Sequence, residues 1–311
     1  MNLDIRDVHA AAERIASYIH RTPVMTSARL DAETGASLFF KCENLQKAGA
    51  FKSRGACNAV FQLSTEIAAR GVTTHSSGNH GSALARAAQI RDIHATIVVP
   101  RNANSVKKAA IAAYGADIIE CEPTLAAREQ GVSRVVDATG AHLVPPYDDD
   151  RIIAGQGTAA LELVEDVDGL DQLLVPVGGG GLLAGTTLVA VDRGLAVIGA
   201  EPEGADDAFR SLTSGYRVTD QVPDTVADGL RTTLGELNFE IIREGVSRIL
   251  TVPDVEIVSA MKMLWTRLKL VVEPSSAVPF AAIRRYPDIF AGQRVGVILS
   301  GGNVDLDTLP F

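Results

Sequence analysis

The chain has 311 residues, 46% of them hydrophobic and 28 of them glycine, a length that suggests about two domains and a composition that excludes a disordered chain or a fibre. A net charge of −9 argues against a nucleic-acid binder, which needs a basic face to displace phosphate counterions. Any anionic ligand must therefore meet a local positive site, and only seven lysines (Lys41, Lys47, Lys52, Lys107, Lys108, Lys262 and Lys269) are available for amine chemistry.

In chain order, residues 4–19 carry an amphipathic helical pattern, with Ile5, Val8, Ala12, Ile15 and Ile19 near one face and no signal-peptide core. Ser37–Lys41 reads as a strand, Asn58–Arg70 as a helix and Gly71–His75 as a short strand running into SSGNHG. Ser82–Ile90 is helical, Ala95–Pro100 a buried strand, Ser105–Tyr114 a helix, Asp117–Cys121 a strand and Ala126–Thr139 a helix; HLVPP is a strand stopped by proline. Then come helix Gly157–Asp166, strand Gln172–Val177, helix Gly185–Arg193, strand Ala196–Glu201 and a last apolar strand, Gln293–Ser300. This alternation predicts an α/β fold of mostly parallel sheets. No apolar run reaches the ~18 residues of a membrane span. Three cysteines (Cys42, Cys57, Cys121) form neither a disulfide framework nor a zinc pattern, so a soluble cytoplasmic protein is expected.

Three glycine clusters stand between strand and helix or at a strand end. Gly178-Gly179-Gly180-Gly181 opens a helix, where glycine lets the backbone approach an anion and the helix N-terminus offers unpaired N–H groups. The same stretch also fits the weak dinucleotide pattern G-x-G-x-x-A, with Glu201 placed like a ribose-binding acid, so a nicotinamide dehydrogenase is a rival. Ser76-Ser77-Gly78-Asn79-His80-Gly81 reads as a polar-ligand site or as an ordinary helix cap. Ser300-Gly301-Gly302-Asn303 is a ligand loop at a strand's carboxyl end or a simple turn. Lys52, in Phe51-Lys52-Ser53-Arg54-Gly55-Ala56, is a candidate half-buried amine nucleophile.

Taken in order, FKSRGA, SSGNHG, GGGGLLAG and SGGN, with RTPV, FFKCENLQ, IAGQGT and VEPSSA, resemble the pyridoxal-phosphate enzymes of the tryptophan-synthase-β fold type, in the branch of serine/threonine dehydratases, serine racemases and 3-hydroxyaspartate dehydratases. The resemblance runs from Arg21 to Asn303. It implies two open, twisted, mostly parallel-sheet lobes with the cofactor between them, residues 1–64 plus 148–311 forming the larger and 65–147 the smaller. Lys52 would carry pyridoxal 5'-phosphate covalently and serve as a catalytic base. Phe51 would pack beside the ring, Asn79 would bond its 3-hydroxyl oxygen, Gly178 to Gly181 would bind the phosphate, Ser300 would face the pyridine nitrogen and Glu273 would lie near the cofactor.

The same likeness gives Ser76, Ser77, Asn79 and His80 to the substrate carboxylate. Ser77 becomes the catalytic group on the face opposite Lys52, which permits racemisation. Arg128 would grip the distal carboxylate of 3-hydroxyaspartate, or serve only as a surface arginine beside Glu122 or Glu129; Thr232 would lie over the substrate. Glu201, the Ala205 carbonyl and Asp207 would hold Mg²⁺, Mn²⁺ or Ca²⁺ as a structural brace, the alternative being a solvated acidic turn. The implied reaction is β-elimination from a β-hydroxy amino acid (L-serine, L-threonine or 3-hydroxyaspartate), giving a 2-oxo acid and ammonia. A serine or aspartate racemase is the alternative. The expected partner is a small amino-acid substrate, with neither nucleic acid nor membrane, in a homodimer.

Overall fold

The computed structural model describes residues 3–76, 78–103 and 105–311. Ten strands are present among them: β1 (Val24–Met25), β2 (Ser37–Cys42), β3 (Val72–His75), β4 (Ala95–Pro100), β5 (Asp117–Cys121), β6 (His142–Leu143), β7 (Gln172–Pro176), β8 (Ala196–Pro202), β9 (Arg248–Val252) and β10 (Arg294–Leu299). They form two sheets, of order β1-β2-β10-β7-β8-β9 and β5-β4-β3-β6. Every pairing is parallel except that of β1 with β2. This is the α/β architecture that the sequence pattern predicts.

Helices cover the sheet faces, so central strands are apolar along their whole length rather than alternating. Every residue of β4 and of β7 is buried. The larger sheet is sandwiched between two cores. Phe40, Leu174, Val297 and Phe280 meet on one face, where the Phe40 and Phe280 rings pack edge-on at 5.9 Å. Val175, Leu183, Val197 and Ile298 meet on the other. Each fully buried side chain of this size contributes about 1.5–3 kcal/mol. Among the described residues no helix is long and apolar enough to cross a membrane.

The β2-β10-β7 order decides where the site lies. Three neighbouring parallel strands release, at their carboxyl ends, the loop to Lys52, the SGGN turn and the glycine run. Ligands in open α/β sheets bind at that edge.

Several elements differ from the sequence reading, each for a local reason. The first helix is Ile5–Ile15, started by an Asp4 and Asp7 capping box. The expected helix 58–70 is two helices, Lys52–Gln62 and Thr65–Ala69. Leu63 turns extended and the Ser64 hydroxyl accepts the Ile67 N–H, starting the second helix afresh. The helix expected at Gly157 begins at Asp150, capped by Asp149, and includes IAGQGT. The helix expected at Gly185 begins at Gly181. HLVPP pairs only through His142 and Leu143, because the prolines that follow have no N–H for the ladder.

Candidate active site

Lys52 occupies the first position of helix Lys52–Gln62. The preceding turn is stitched to the SGGN loop: Phe51 N donates to the Ser300 carbonyl (3.0 Å), and Gly302 N donates to that of Gly49 (2.9 Å). The Lys52 amine is half-buried, donates to the Pro146 carbonyl at 2.7 Å and lies 5.1 Å from the Phe51 ring centroid. Loss of solvation pulls its pKa down to about 8, against the opposing charge of Glu273. A lysine so placed supplies a free amine near neutral pH.

The back of that helix is fixed by a buried ion network. Arg54, fully buried, donates to both oxygens of Glu43 (2.7 Å each) and both of Glu162 (2.8 Å each). Lys41 pairs with Glu162 at 2.7 Å and donates to the Thr22 carbonyl. IAGQGT sets the spacing to the next element. A Cβ on Gly155 would stand 2.6 Å from the Gly55 Cα, and one on Gly157 would stand 2.8 Å from the Gly185 carbonyl oxygen. Helix Asp150–Asp166 thus touches the lysine helix through one glycine and helix Gly181–Arg193 through another.

Gly178–Gly181 joins β7 to helix Gly181–Arg193. Gly180 has φ +92°, a conformation that favours glycine, and is closed in by Leu234 and Asn238. A Cβ on Gly179 would fall inside the Tyr147 ring. Asn238 Nδ2 donates to the Gly179 carbonyl (2.6 Å), as does Gly235 N (3.1 Å), which pins the loop from outside. The first N–H groups of the helix have no intrahelical acceptor, so the loop can cradle a phosphate.

On the adjoining turn, Ser300 is buried and its hydroxyl lies 3.1 Å from that of Ser276. The Asn79 side chain is held at both ends: Nδ2 donates to Glu273 (2.8 Å), and Oδ1 accepts from Asn303 (2.9 Å). One Nδ2 hydrogen of Asn79 remains for a ligand oxygen. Burial, with the charge of Asp228, pushes Glu273 up to about 8. A cavity of about 240 Å³ opens beside Asn79, lined also by Ser82, Lys107, Tyr114, Ala48 and Asn303. A Lys107 and Asp228 ion pair bridges helix Ser105–Ala112 to the turn at Asp228–Leu230.

The Ser76 hydroxyl accepts the Gly78 N–H at 3.3 Å, while Ser77 lies outside the described residues. His80 is buried with Nε2 3.1 Å from the Val144 carbonyl, and burial drives its pKa to about 3. Its ring ties the loop to the segment after β6 as a neutral imidazole. Arg128 is half-buried on helix Leu125–Thr139, where its Nε donates to the Thr124 carbonyl (3.4 Å); burial, and then the Arg128 charge, lowers the pKa of His75. Among the described residues Arg128 forms no ion pair; Glu122 pairs with Arg101 instead. Thr232 lies against Gly178, its Oγ1 3.3 Å from where a Cβ would stand.

Glu201, Ala205 and Asp207 are each about 1% exposed, so they are not a solvated acidic turn. Glu201 accepts the Phe209 N–H (2.6 Å) and the Ala208 N–H (3.3 Å); Asp207 accepts from Gln221 (2.7 Å) and Leu234 N (2.8 Å). Burial raises Asp207 to about 6 and Glu201 well above the carboxylate range. Among the described residues no group of three His, Cys, Asp or Glu side chains could hold a metal, so a cation here must also use the carbonyl.

The chemistry of these donors fits pyridoxal phosphate. The lysine is desolvated, the glycine cradle admits no side chain, and a buried hydroxyl and a spare amide hydrogen stand nearby. Tyr147 and Asn238 carry no local sequence signal, and only tertiary contact brings them in; Ser276 and Asn303 lie within VEPSSA and SGGN, but their partners are set by tertiary contact. Comparison with known proteins agrees with this chemistry. The family model described as "Pyridoxal-phosphate dependent enzyme" matches residues 15–301. The chain is 54% identical over 307 residues to the beta-hydroxyaspartate dehydratase of Paracoccus denitrificans, covering 98% of each chain. It is 48% identical over 303 residues to the L-threo-3-hydroxyaspartate ammonia-lyase of Saccharomyces cerevisiae, covering 96% of this chain and 93% of that one. The solved structure of maize serine racemase superimposes with a TM-score of 0.97 at 45% identity, covering 99% of this chain and 96% of the other.

Proposed function

The chain belongs to the pyridoxal-phosphate dependent enzyme family, and on that premise we propose that it is an ammonia-lyase that dehydrates β-hydroxy amino acids, with 3-hydroxyaspartate preferred to L-serine and L-threonine. The observation that carries the preference is Arg128, half-buried near His75 and Tyr147 with no carboxylate of its own among the described residues. A guanidinium in that state is completed by an incoming carboxylate. The likeness to the two hydroxyaspartate enzymes supports the same reading.

Bound in the cleft, pyridoxal phosphate supplies the electron sink that makes the α-proton of an amino acid acidic. Gly178 to Gly181 would hold its phosphate, Phe51 would flank the ring, Ser300 would offer the ring nitrogen a neutral hydroxyl, and Asn79, steadied by Glu273, would donate to a ring oxygen. Lys52 would anchor the group, and its amine would take the α-proton at Nζ; a pKa near 8 leaves part of the amine unprotonated at neutral pH. Ser76, Ser77, Asn79 and the His80 loop receive the α-carboxylate, Thr232 borders it and Arg128 receives the distal one. The β-hydroxyl departs as water, and hydrolysis of the released enamine yields 2-oxo acid and ammonia.

Racemisation is the second reading, supported by the likeness to maize serine racemase and by a serine at position 77 that would exchange the α-proton from the other face. Glu201, the Ala205 carbonyl and Asp207 would bind a divalent cation as a brace. Two lobes, residues 1–64 plus 148–311 and residues 65–147, in a cytoplasmic homodimer complete the proposal. The holoenzyme with L-serine, L-threonine and the four 3-hydroxyaspartate isomers, scored for oxo acid, ammonia and enantiomer, tests it. One hydroxyaspartate isomer is expected to exceed serine and threonine in kcat/KM by about tenfold or more, and Arg128→Ala to remove that margin. Equal efficiencies, or no change in Arg128→Ala, would overturn the preference.

A further inference from the structure

Helix Glu236–Gly245 begins at Gly235, which has no side chain to satisfy the first N–H groups. That role is filled from 88 residues away. Asp148 Oδ2 accepts the Glu236 N–H (3.0 Å), and Oδ1 accepts the Leu237 N–H (3.0 Å). A Cβ on Gly235 would stand 2.3 Å from Asp148 Oδ1, so the glycine is what admits the carboxylate. A carboxylate at that end also meets the positive pole of the helix.

The helix start that Asp148 holds bears directly on the glycine run. Gly235 N (3.1 Å) and Asn238 Nδ2 (2.6 Å) both donate to the Gly179 carbonyl, which uses both of its lone pairs. Asn238 is fully buried and gives its other Nδ2 hydrogen to the Tyr147 carbonyl (3.2 Å), so it keeps no amide donor for a ligand and acts through the backbone. Among the described residues no peptide is cis, so the Gly180 N–H points opposite to the Gly179 carbonyl, away from the helix. This peptide lies between two glycines, which by themselves leave it free to turn over. The two donors from the helix fix its direction, and Asp148 fixes the donors. Neighbouring residues serve the same joint. The Pro146 carbonyl receives the Lys52 amine at 2.7 Å, and Asp149 caps helix Asp150–Asp166 through Arg151 N (2.9 Å) and Ile152 N (3.3 Å). Residues 146–149 thus set the lysine and the glycine run against one another.

We propose that Asp148 is a positioning residue for the cofactor phosphate: by capping helix Glu236–Gly245 it holds the Gly179–Gly180 peptide with its N–H turned toward the anion. The inference rests on the reading of Gly178 to Gly181 as the phosphate cradle. The Asp148 charge itself is directed at two backbone N–H groups and not at the anion, which it would repel.

The test compares pyridoxal 5'-phosphate with pyridoxal, which lacks the phosphate, each titrated by absorbance into the full chain freed of cofactor. Asp148→Ala is expected to weaken pyridoxal 5'-phosphate about tenfold and pyridoxal less than about twofold. Asp148→Asn, whose amide oxygen still accepts an N–H, is expected to stay within about threefold of the parent for both. Gly235→Ala reaches the same joint from the other side, since its Cβ displaces the Asp148 carboxylate, and is expected to give the same selective loss. It decides the matter if Asp148→Ala does not fold. Equal losses for the two forms, no loss in the alanine variants, or an asparagine variant as weak as Asp148→Ala would overturn the proposal. A parent chain that binds the two forms equally would overturn the glycine cradle itself, a result distinct from all of these.

Discussion

Glu43 and Glu162, on the one hand, and Glu201 and Asp207, on the other, are carboxylates withdrawn from water, yet the fold treats the two pairs in opposite ways. The first pair faces Arg54 and Lys41, and the short contacts with Arg54 and Lys41 hold the Glu162 carboxyl below its usual range despite burial. Among the described residues the second pair accepts hydrogen bonds from backbone N–H groups and the Gln221 amide, and burial makes both carboxyls titrate high although the Arg210 charge lowers Asp207. The lesson is that burial by itself says little about role. A carboxylate cluster balanced by cations of the chain is a finished structural joint; one met mainly by neutral dipoles titrates high, and on the proposed reading a bound cation would complete it. Glu273 shows a third solution, since with its pKa near 8 it carries a proton at neutral pH.

The largest expected effect tests the finished joint. Arg54→Leu leaves Glu43 and Glu162 buried without their main partner and is expected to cost about 3–5 kcal/mol in urea unfolding. A loss under about 1 kcal/mol would mean that Lys41 alone balances the cluster. Next comes the protonated carboxyl. Glu273 has a folded pKa raised from 4.5 to about 8, so the folded chain holds a proton that the unfolded chain releases. Its contribution is fully present below pH 4.5 and is lost as pH rises through 8. The cofactor-free protein is expected to lose roughly 3–4 kcal/mol between pH 5 and pH 8 from this group. Glu273→Gln should flatten that fall, and an unchanged slope would show that Glu273 is ionised throughout.

The unbalanced pair predicts a smaller response. Mg²⁺, Mn²⁺ or Ca²⁺ at about a hundredfold above its dissociation constant should stabilise the protein by about 2.7 kcal/mol, read as a rise in Tm. Asp207→Asn should abolish that rise; an equal rise in the variant would place the ion elsewhere. Smallest is the glycine spacer between the cofactor-binding helices. Gly155→Ala forces a Cβ to 2.6 Å from the Gly55 Cα and is expected to cost about 1–3 kcal/mol, with weaker cofactor retention on dialysis.

The sequence carried the alternation of strands and helices and the glycine clusters, because strand runs and Gly-rich turns are local features. It also singled out Lys52, through its Phe and Gly neighbours. It misplaced the start of helix Asp150–Asp166, whose first two turns are buried nearly all round and so show no apolar–polar period. It read Met261, Met263 and Trp265 as helix packing without giving helix Asp254–Met263 its bounds, and it passed over helix Pro274–Arg285, which packs on the larger sheet. Arg128 could be named from its spacing, but not that it forms no ion pair among the described residues, since Glu122 turns to Arg101 and the Arg128 Nε donates to the Thr124 carbonyl (3.4 Å).

What the sequence determined by itself was thus the class of fold, the order of the ligand loops and the amine that serves them, all of which are written in short stretches of residue type. Only the tertiary structure decided which strands are neighbours, that β2, β10 and β7 bring three distant loops to one edge, and that Tyr147 closes over Gly179. The same holds for charge: whether a buried carboxylate is paired, protonated or open to a cation is set by what packs against it from distant parts of the chain, because electrostatic energy depends on distance and burial, not on position in sequence.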